Sequence, residues 1–364
     1  LKYSSEYRDP LLAKALLAAI HQSVSSWPGT ITLMEVCGTH TMSIYQHGIR
    51  QLLPESVRLV SGPGCPVCVT PISYVDQALA YARRPETIIA TFGDMVRVPG
   101  STGNLQHEKA KGADVRIVYS PLDAVAIAEK NPHKTLVFLG VGFETTAPTV
   151  AGSLLAAQQR GLQNFFVLCA HKTMPAPMAA LTSDPELKVD GYLCPAHVSA
   201  VIGSDAYRPL AELYAVPCVV TGFEPLDILR GIQMLVHQIL AGEARVECEY
   251  SRIVKPEGNL KAQALLAQVF EPCDAQWRGL GVIPASGLRL RAAYKQFDAQ
   301  LALPLEVAPP QEHPGCRCGD ILKGKLAPGD CPLFRTLCTP EEPVGACMVS
   351  SEGTCAAEYK YGNV

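Results

Sequence analysis

Cys65-Pro66-Val67-Cys68 places two thiols three positions apart, directly behind Gly62-Pro63-Gly64. Glycine lets the backbone turn sharply, and a C-x-x-C at the end of a strand can cycle between dithiol and disulfide or hand on a soft metal. Half of a static zinc site is the competing role, and it needs a second ligand pair close by. Cys37 and His40, in EVCGTHT, are the obvious pair in this part of the chain. Cys37 also has a chemistry of its own. A thiolate beside an imidazole or at a helix N-terminus has a lowered pKa and acts as a nucleophile or soft-metal ligand. A lone Cys behind a strand is ordinarily buried filler; His40 and the flanking threonines turn this one towards function. Cys169, Cys194, Cys218, Cys248 and Cys273 lack such company and read as core or surface residues.

Six of the 14 cysteines, Cys316, Cys318, Cys331, Cys338, Cys347 and Cys355, fall near the C-terminus with gaps of 1, 12, 6, 8 and 7 residues between them. Four thiolates can hold a 4Fe-4S cube and two would remain. Zinc also takes four cysteines, but structural zinc sites favour paired knuckles, and Cys316/Cys318 is the one close pair. Free thiols or disulfides are the third possibility on spacing alone. Such clustering in a reducing compartment points to metal or redox chemistry rather than structural bridges.

Other polar residues follow apolar runs. GVGFETTAPTV offers Thr145, Thr146 and Pro148 at a helix start, where free backbone N–H groups can hold an anion; plain capping by Thr explains the same residues. The stretch resembles a degraded G-x-G-x-x-G without the acidic residue expected about 20 positions on. Glu144, His171, His197 and Glu352 are each more often hydrogen-bonded scaffold than chemistry in such positions, with Glu144 and His197 ranked first.

The elements that position these residues are legible in the same runs. ITLMEV, VRLVSG, TIIATF, VRIVYS, TLVFLG, NFFVLC, GYLCP and PCVVTG are short, β-branched and nearly continuously apolar, with helix-length segments between them. That pattern predicts a parallel sheet covered on both faces, hence an α/β fold in two lobes. Ligands bind at the carboxyl ends of strands in such sheets, so the turns carrying the polar residues line one cleft. Asp9-Pro10 predicts a helix start before Leu11, and Asn259 caps a predicted helix over 260–269. Cys-Pro and Gly-Phe-Glu each recur, but at different offsets, which does not amount to a tandem repeat.

With 364 residues, 48% hydrophobic and 18% charged, the chain supports several cores and predicts no long disordered region. The net charge of -3 without basic blocks argues against nucleic acid. No run is long enough for a membrane helix, and LKYSSEYRDP lacks the basic-then-apolar pattern of a secretory signal, so a cytoplasmic location is expected.

EVCGTHT, LVSGPGCPVCVTP, TFGDMVRVPG, GADVRIVYSP, GFETTAPT, PAHVSAVIG, TGFEPLDIL, WRGLGVIP, CPLF and MVSSEGTCAA, spread over residues 35–357, closely resemble the HypD family of nickel-iron hydrogenase maturation factors. The resemblance implies two α/β lobes, at 31–147 and 148–242. It also implies a cluster domain built from the chain ends, 1–30 and 243–364, with its cysteine-rich tail at 315–364. It implies a 4Fe-4S cluster similar to that of ferredoxin-thioredoxin reductase, a HypC-type chaperone, the HypE–HypF cyanide supply and, indirectly, the hydrogenase large subunit as partners. The cargo is iron that becomes Fe(CN)2CO. Mapped by motif, Cys37 binds that iron, Cys65 and Cys68 are its redox pair, and His40, Glu144 and His197 complete the reactive set. Thr145 and Thr146 face the cyanides. Cys331, Cys338 and Cys355 ligate the cluster with Cys318, or alternatively Cys316, as the fourth. The pair left over is Cys316/Cys347, or Cys318/Cys347 in the alternative, a dithiol carrying electrons towards the cleft. The rival function is a cluster-dependent thiol-disulfide reductase; a zinc-stabilised binding module is the second rival.

Overall fold

A computed structural model describes residues 5–362. Its strands are β1 (Ile31–Glu35), β2 (Val57–Ser61), β3 (Thr87–Thr91), β4 (Asp114–Ile117), β5 (Thr135–Gly140), β6 (Phe165–Cys169), β7 (Gly191–Pro195), β8 (Cys218–Thr221), β9 (Val246–Cys248), β10 (Phe270–Trp277) and β11 (Gly281–Leu290). Every apolar run named above forms a strand, and all pairings among β1–β9 are parallel. β1, β3 and β7 are buried along their whole length, which is why they carry no alternating polar face.

The strands do not divide into the contiguous spans 31–147 and 148–242. One sheet has the order β2-β1-β7-β8-β9 and the other β4-β3-β5-β6. The chain therefore begins the first sheet, builds the whole second sheet, and returns to finish the first. β1 becomes an interior strand through Ile31 opposite Val57 on one side and Leu33 opposite Gly191 on the other.

The expected assignment of 1–30 to the cluster domain is also corrected. Asp9 caps the helix Pro10–Ser23 by accepting from the Leu11 and Leu12 N–H groups, as its sequence predicts. That helix buries Ile20 and Val24 with Ile31, Leu33, Ile232 and Val236, so it covers the first sheet. Residues 1–4, which begin the same expected segment, lie outside the described residues. Of 243–314, β9 extends the first sheet, while Val269, Phe270 and Leu290 join the core of the second. The cysteine-rich segment starts only at about 315.

A third core runs between the sheets. It joins Met34, Val60, Tyr192 and Val220 of the first to Ile89, Val137, Leu139 and Leu168 of the second, and it contains Cys65, Cys68, Cys318, Cys338, Cys347 and Cys355. The thiols are part of the joint between the lobes.

The β10–β11 hairpin is antiparallel with an irregularity between Cys273 and Ala275. It lies beside the segment after β6, where Leu288 N–H donates to the His171 carbonyl (3.0 Å) and Thr173 N–H to that of Ser286 (2.9 Å). Its turn reaches the C-x-x-C helix: Arg278 donates from its backbone N–H to the Val69 carbonyl and from Nε to that of Thr70, both at 2.9 Å. Gly279 has φ +76°, and a Cβ there would stand 2.2 Å from the Gly319 Cα, so two glycines let the hairpin turn press against the tail.

Candidate functional site: a thiol chain between two sheets

Cys37 follows β1 in extended conformation and precedes the helix Gly38–Gln46. It makes no side-chain capping hydrogen bond, although the His40 and Thr39 backbone N–H groups of that helix's first turn favour its thiolate. Burial, reinforced by the Glu352 and Glu35 carboxylates, nevertheless pushes the thiol up to about 12. Cys37 thus keeps its proton at neutral pH.

The loop after β2 interlocks with this one because the two strands are parallel neighbours. Gly38 N–H donates to the Gly64 carbonyl (3.2 Å), and a Cβ on Gly64 would come within 2.1 Å of the Cys37 nitrogen. Position 64 must be glycine for the C-x-x-C to lie beside Cys37. Cys65 and Cys68 are joined as a disulfide with a Cα–Cα separation of 5.2 Å, and Cys68 N–H donates to the Cys65 sulfur (3.2 Å).

Beneath Cys37 sits Glu35, which motif and spacing do not single out. Its Oε2 accepts the Cys37 N–H (3.2 Å) and its Oε1 the Thr41 hydroxyl (2.6 Å). Burial pushes its carboxyl up to about 7. A carboxylate closing the otherwise apolar run ITLM was the available signal, since such a group is seldom fully buried without partners.

The tail covers both loops. Thr39 donates its hydroxyl to Glu352 (2.9 Å), and a Cβ on Gly38 would stand 2.3 Å from the Glu352 Cβ. Arg97 donates to the Pro340 and Val349 carbonyls at 3.0 and 3.1 Å. The Cys68 sulfur lies 3.9 Å from the Ala346 carbonyl oxygen.

All six tail cysteines gather beyond that contact. Cys347 donates to the Cys355 sulfur at 3.1 Å, and Cys347 is also close enough to Cys318 to push that thiol well above its usual range. A Cβ on Gly345 would stand 2.9 Å from the Cys316 sulfur and 3.7 Å from that of Cys347. Burial first, then Cys318, Cys331 and Cys338 close by, push the Cys316 thiol up to about 12. Cys338 accepts the Val344 N–H (3.3 Å). Among the described residues no three His, Cys, Asp or Glu side chains converge as the ligands of a single metal ion.

The remaining expected residues are spread along the strand ends. His40 is fully buried; its Nε2 meets the Gly222 carbonyl and the Thr221 hydroxyl at 2.9 Å, and burial lowers its pKa to about 4. The Phe223 ring has His40 at 4.8 Å and the exposed His197 at 4.1 Å, centroid to centroid. Glu144 accepts the Met174 N–H with Oε1 (2.9 Å), while Oε2 is buried without a partner and burial pushes the carboxyl up to about 7. Thr146 immediately precedes the helix Ala147–Gln159 but makes no side-chain capping bond, so the Thr-capping alternative is not realised; Thr145 is exposed. Among the described residues no hydrogen bond joins Glu144, Thr145 or Thr146 to Cys37, Cys65 or Cys68. His171 lies 3.3 Å through Nδ1 from Cys169, in a different pocket.

Two parallel sheets that bury a C-x-x-C, a lone strand-end cysteine and a six-cysteine tail in one joint define an α/β protein built around thiol chemistry. The family model described as "HypD: Hydrogenase formation hypA family" matches residues 11–362. The chain belongs to the HypD family and has its role in hydrogenase maturation. It is 48% identical to the hydrogenase maturation factor HypD of Azotobacter vinelandii, over 100% of this chain and 97% of that one. It is 47% identical to that of Rhodobacter capsulatus, over 100% and 98%, and 47% identical to that of Escherichia coli K12, over 99% and 98%. No helix among the described residues is long and apolar enough to cross a membrane.

Proposed function

We propose that this chain is the scaffold on which the Fe(CN)2CO centre of nickel-iron hydrogenase is assembled, with Cys37 as the thiolate that holds the iron. The tail and the C-x-x-C form its electron supply. The observation that carries the reading is the contact of Cys68 with Ala346, which sets the C-x-x-C against the residue next to Cys347.

The donor set fits a cube. Six thiols share one patch, in which Cys347 donates to Cys355 and lies close to Cys318. The closeness of Cys318 to Cys347 supports the alternative ligand set, Cys316, Cys331, Cys338 and Cys355, with Cys318/Cys347 as the dithiol. Bound there, a 4Fe-4S cluster would supply electrons one at a time.

The chain's own steps follow from thiol exchange. A thiolate of the Cys318/Cys347 pair attacks the Cys65–Cys68 disulfide and forms a mixed disulfide; its partner thiolate resolves it. The products are a Cys318–Cys347 disulfide and a Cys65/Cys68 dithiol, two electrons having moved. Two single electrons and two protons then restore Cys318 and Cys347 to thiols. The reduced C-x-x-C lies beside Cys37, where iron replaces the thiol proton. Thr145 and Thr146 are the residues on the cyanide side, through the Thr145 N–H, since that of Thr146 already donates to the Phe143 carbonyl (3.0 Å), while His40 and His197 flank the end of β8. A HypC-type chaperone shares the iron, HypE with HypF donates cyanide, and the hydrogenase large subunit is the eventual recipient, all in the cytoplasm.

Burial supports the scaffold over the reductase reading. Cys65 and Cys68 are only 4% and 1% exposed, which leaves no approach for a protein disulfide. Anaerobic co-purification with a HypC-type chaperone, followed by metal analysis and absorption spectra, tests the proposal. The scaffold requires a brown chain holding cluster iron plus stoichiometric chaperone-dependent iron; a colourless zinc protein rejects it.

A further inference from the structure

A groove of about 1030 Å³ runs along β2, the edge strand of the first sheet. Arg50, Arg58, Lys188, Lys323 and Lys325 line it, against two carboxylates, Glu55 and Glu186. It is therefore three charges positive in a chain of net charge -3. Lys325 pairs with Glu186, Lys188 with Asp190 (3.6 Å), and Arg50 donates to Ser61 Oγ (2.7 Å). Arg58 and Lys323 have no carboxylate partner among the described residues.

The rim is a built feature. Lys323 ends the helix Cys318–Leu322, and Gly324 turns the chain with φ +72°. A Cβ on Gly324 would stand 3.1 Å from the Met34 Cε and 3.2 Å from Val60, so glycine seats this turn against the floor of the groove. At 1.5 Å rise per residue, Lys323 is about 7–8 Å along its helix from Cys318. The groove thus opens one short helix away from the tail thiols, on the strands that lead to Cys37 and Cys65.

Small-molecule sites are mostly apolar with a few polar groups, whereas seven of the 19 residues lining this groove are charged. A surface of that kind steers and orients an oppositely charged protein. We propose that it is the docking site of a small acidic one-electron carrier of the ferredoxin type, which delivers the electrons entering through the tail. This rests on the reading of the tail as a cluster site. Each encounter oxidises the carrier by one electron and reduces the tail by one; two encounters and two protons return Cys318 and Cys347 to thiols.

The test uses the cluster-loaded chain and an acidic 2Fe-2S ferredoxin. Binding of the oxidised carrier is measured by calorimetry across a salt series, for the wild type and for R58E/K323E. The charge reversal should weaken binding about tenfold or more at low salt and flatten its salt dependence. Reduction by the viologen radical cation, which a basic groove does not favour, should proceed at least as fast in the variant. Equal affinity of the two proteins, or binding indifferent to salt, overturns the docking site while leaving the cluster reading intact. A chain without cluster absorbance overturns that reading and the docking proposal with it. Cross-linking of carrier carboxylates to Lys323 or Lys325 supports the site; cross-links confined to another face refute it.

Discussion

The sulfur of Cys68 and the carbonyl oxygen of Ala346 stand 3.9 Å apart, although 278 positions separate the two residues in the chain. Cys347 follows Ala346 directly, and its thiol reaches both Cys318 and Cys355. The buried disulfide and the tail thiols are consequently neighbours through one backbone unit. On the proposed electron route, the exchange is between sulfurs that already share one core.

Cys37→Ala should abolish chaperone-dependent iron retention while the cluster absorbance survives. Iron analysis beside an absorption spectrum checks this, and cleft iron retained in the variant would remove Cys37 from the role.

Cys316→Ser and Cys318→Ser should part company. The first should lose cluster absorbance with loss of a ligand. The second should keep the cluster and fail to reduce the Cys65–Cys68 disulfide, as counted by alkylation and mass spectrometry under a reductant. The reverse pattern would make Cys318 the ligand.

Gly64→Ala drives a methyl group into the Cys37 backbone at 2.1 Å, a contact that neither loop can relieve by rotating a side chain. Destabilisation of about 1–3 kcal/mol is expected from such overpacking, with a matching fall in the midpoint of denaturant unfolding. Iron retention should fall too; an unchanged midpoint would show that the two loops are not interlocked.

Glu144→Gln should stabilise the protein more at pH 8 than at pH 5. The folded carboxyl titrates near 7, above its ordinary value of 4.5, because it is buried with Oε2 unpartnered. The folded state therefore holds the proton more tightly than the unfolded one, and stability is lost as pH rises from about 4.5 to about 7. The gap between 4.5 and about 7, at roughly 1.4 kcal/mol per pKa unit, sets a difference between pH 5 and pH 8 on the order of 2–3 kcal/mol. Thermal unfolding of both proteins across that range checks the sign.

The eight strands that open on β-branched runs were readable because a buried parallel strand has no other way to be written, and Asp9 and Asn259 mark their helices through capping chemistry. Strand order was not readable. Nothing local in Ile31–Glu35 states that its second neighbour is Gly191–Pro195, because crossover length, and not residue type, decides the pairing. The β10–β11 hairpin went unnoticed although Phe270–Trp277 alternates in burial, since Pro272, Asp274 and Gln276 supply little β propensity. The six tail cysteines were legible as a group. Their partition was not, because loops between cysteines place no constraint on which sulfurs meet; the Cys347–Cys355 hydrogen bond exists only in three dimensions. Glu35 was hidden by its position inside an apolar strand.

The interrupted order of the first sheet has a consequence for synthesis. β1 and β2 leave the ribosome early, yet β1 gains its second neighbour only after the entire inserted sheet has been translated, and Glu352 reaches Thr39 across 313 positions of chain. The nascent chain therefore carries Cys37 in the open until that distant segment has been made. Whatever protects that sulfur from stray metal or oxidant in the meantime has to act on a half-made polypeptide.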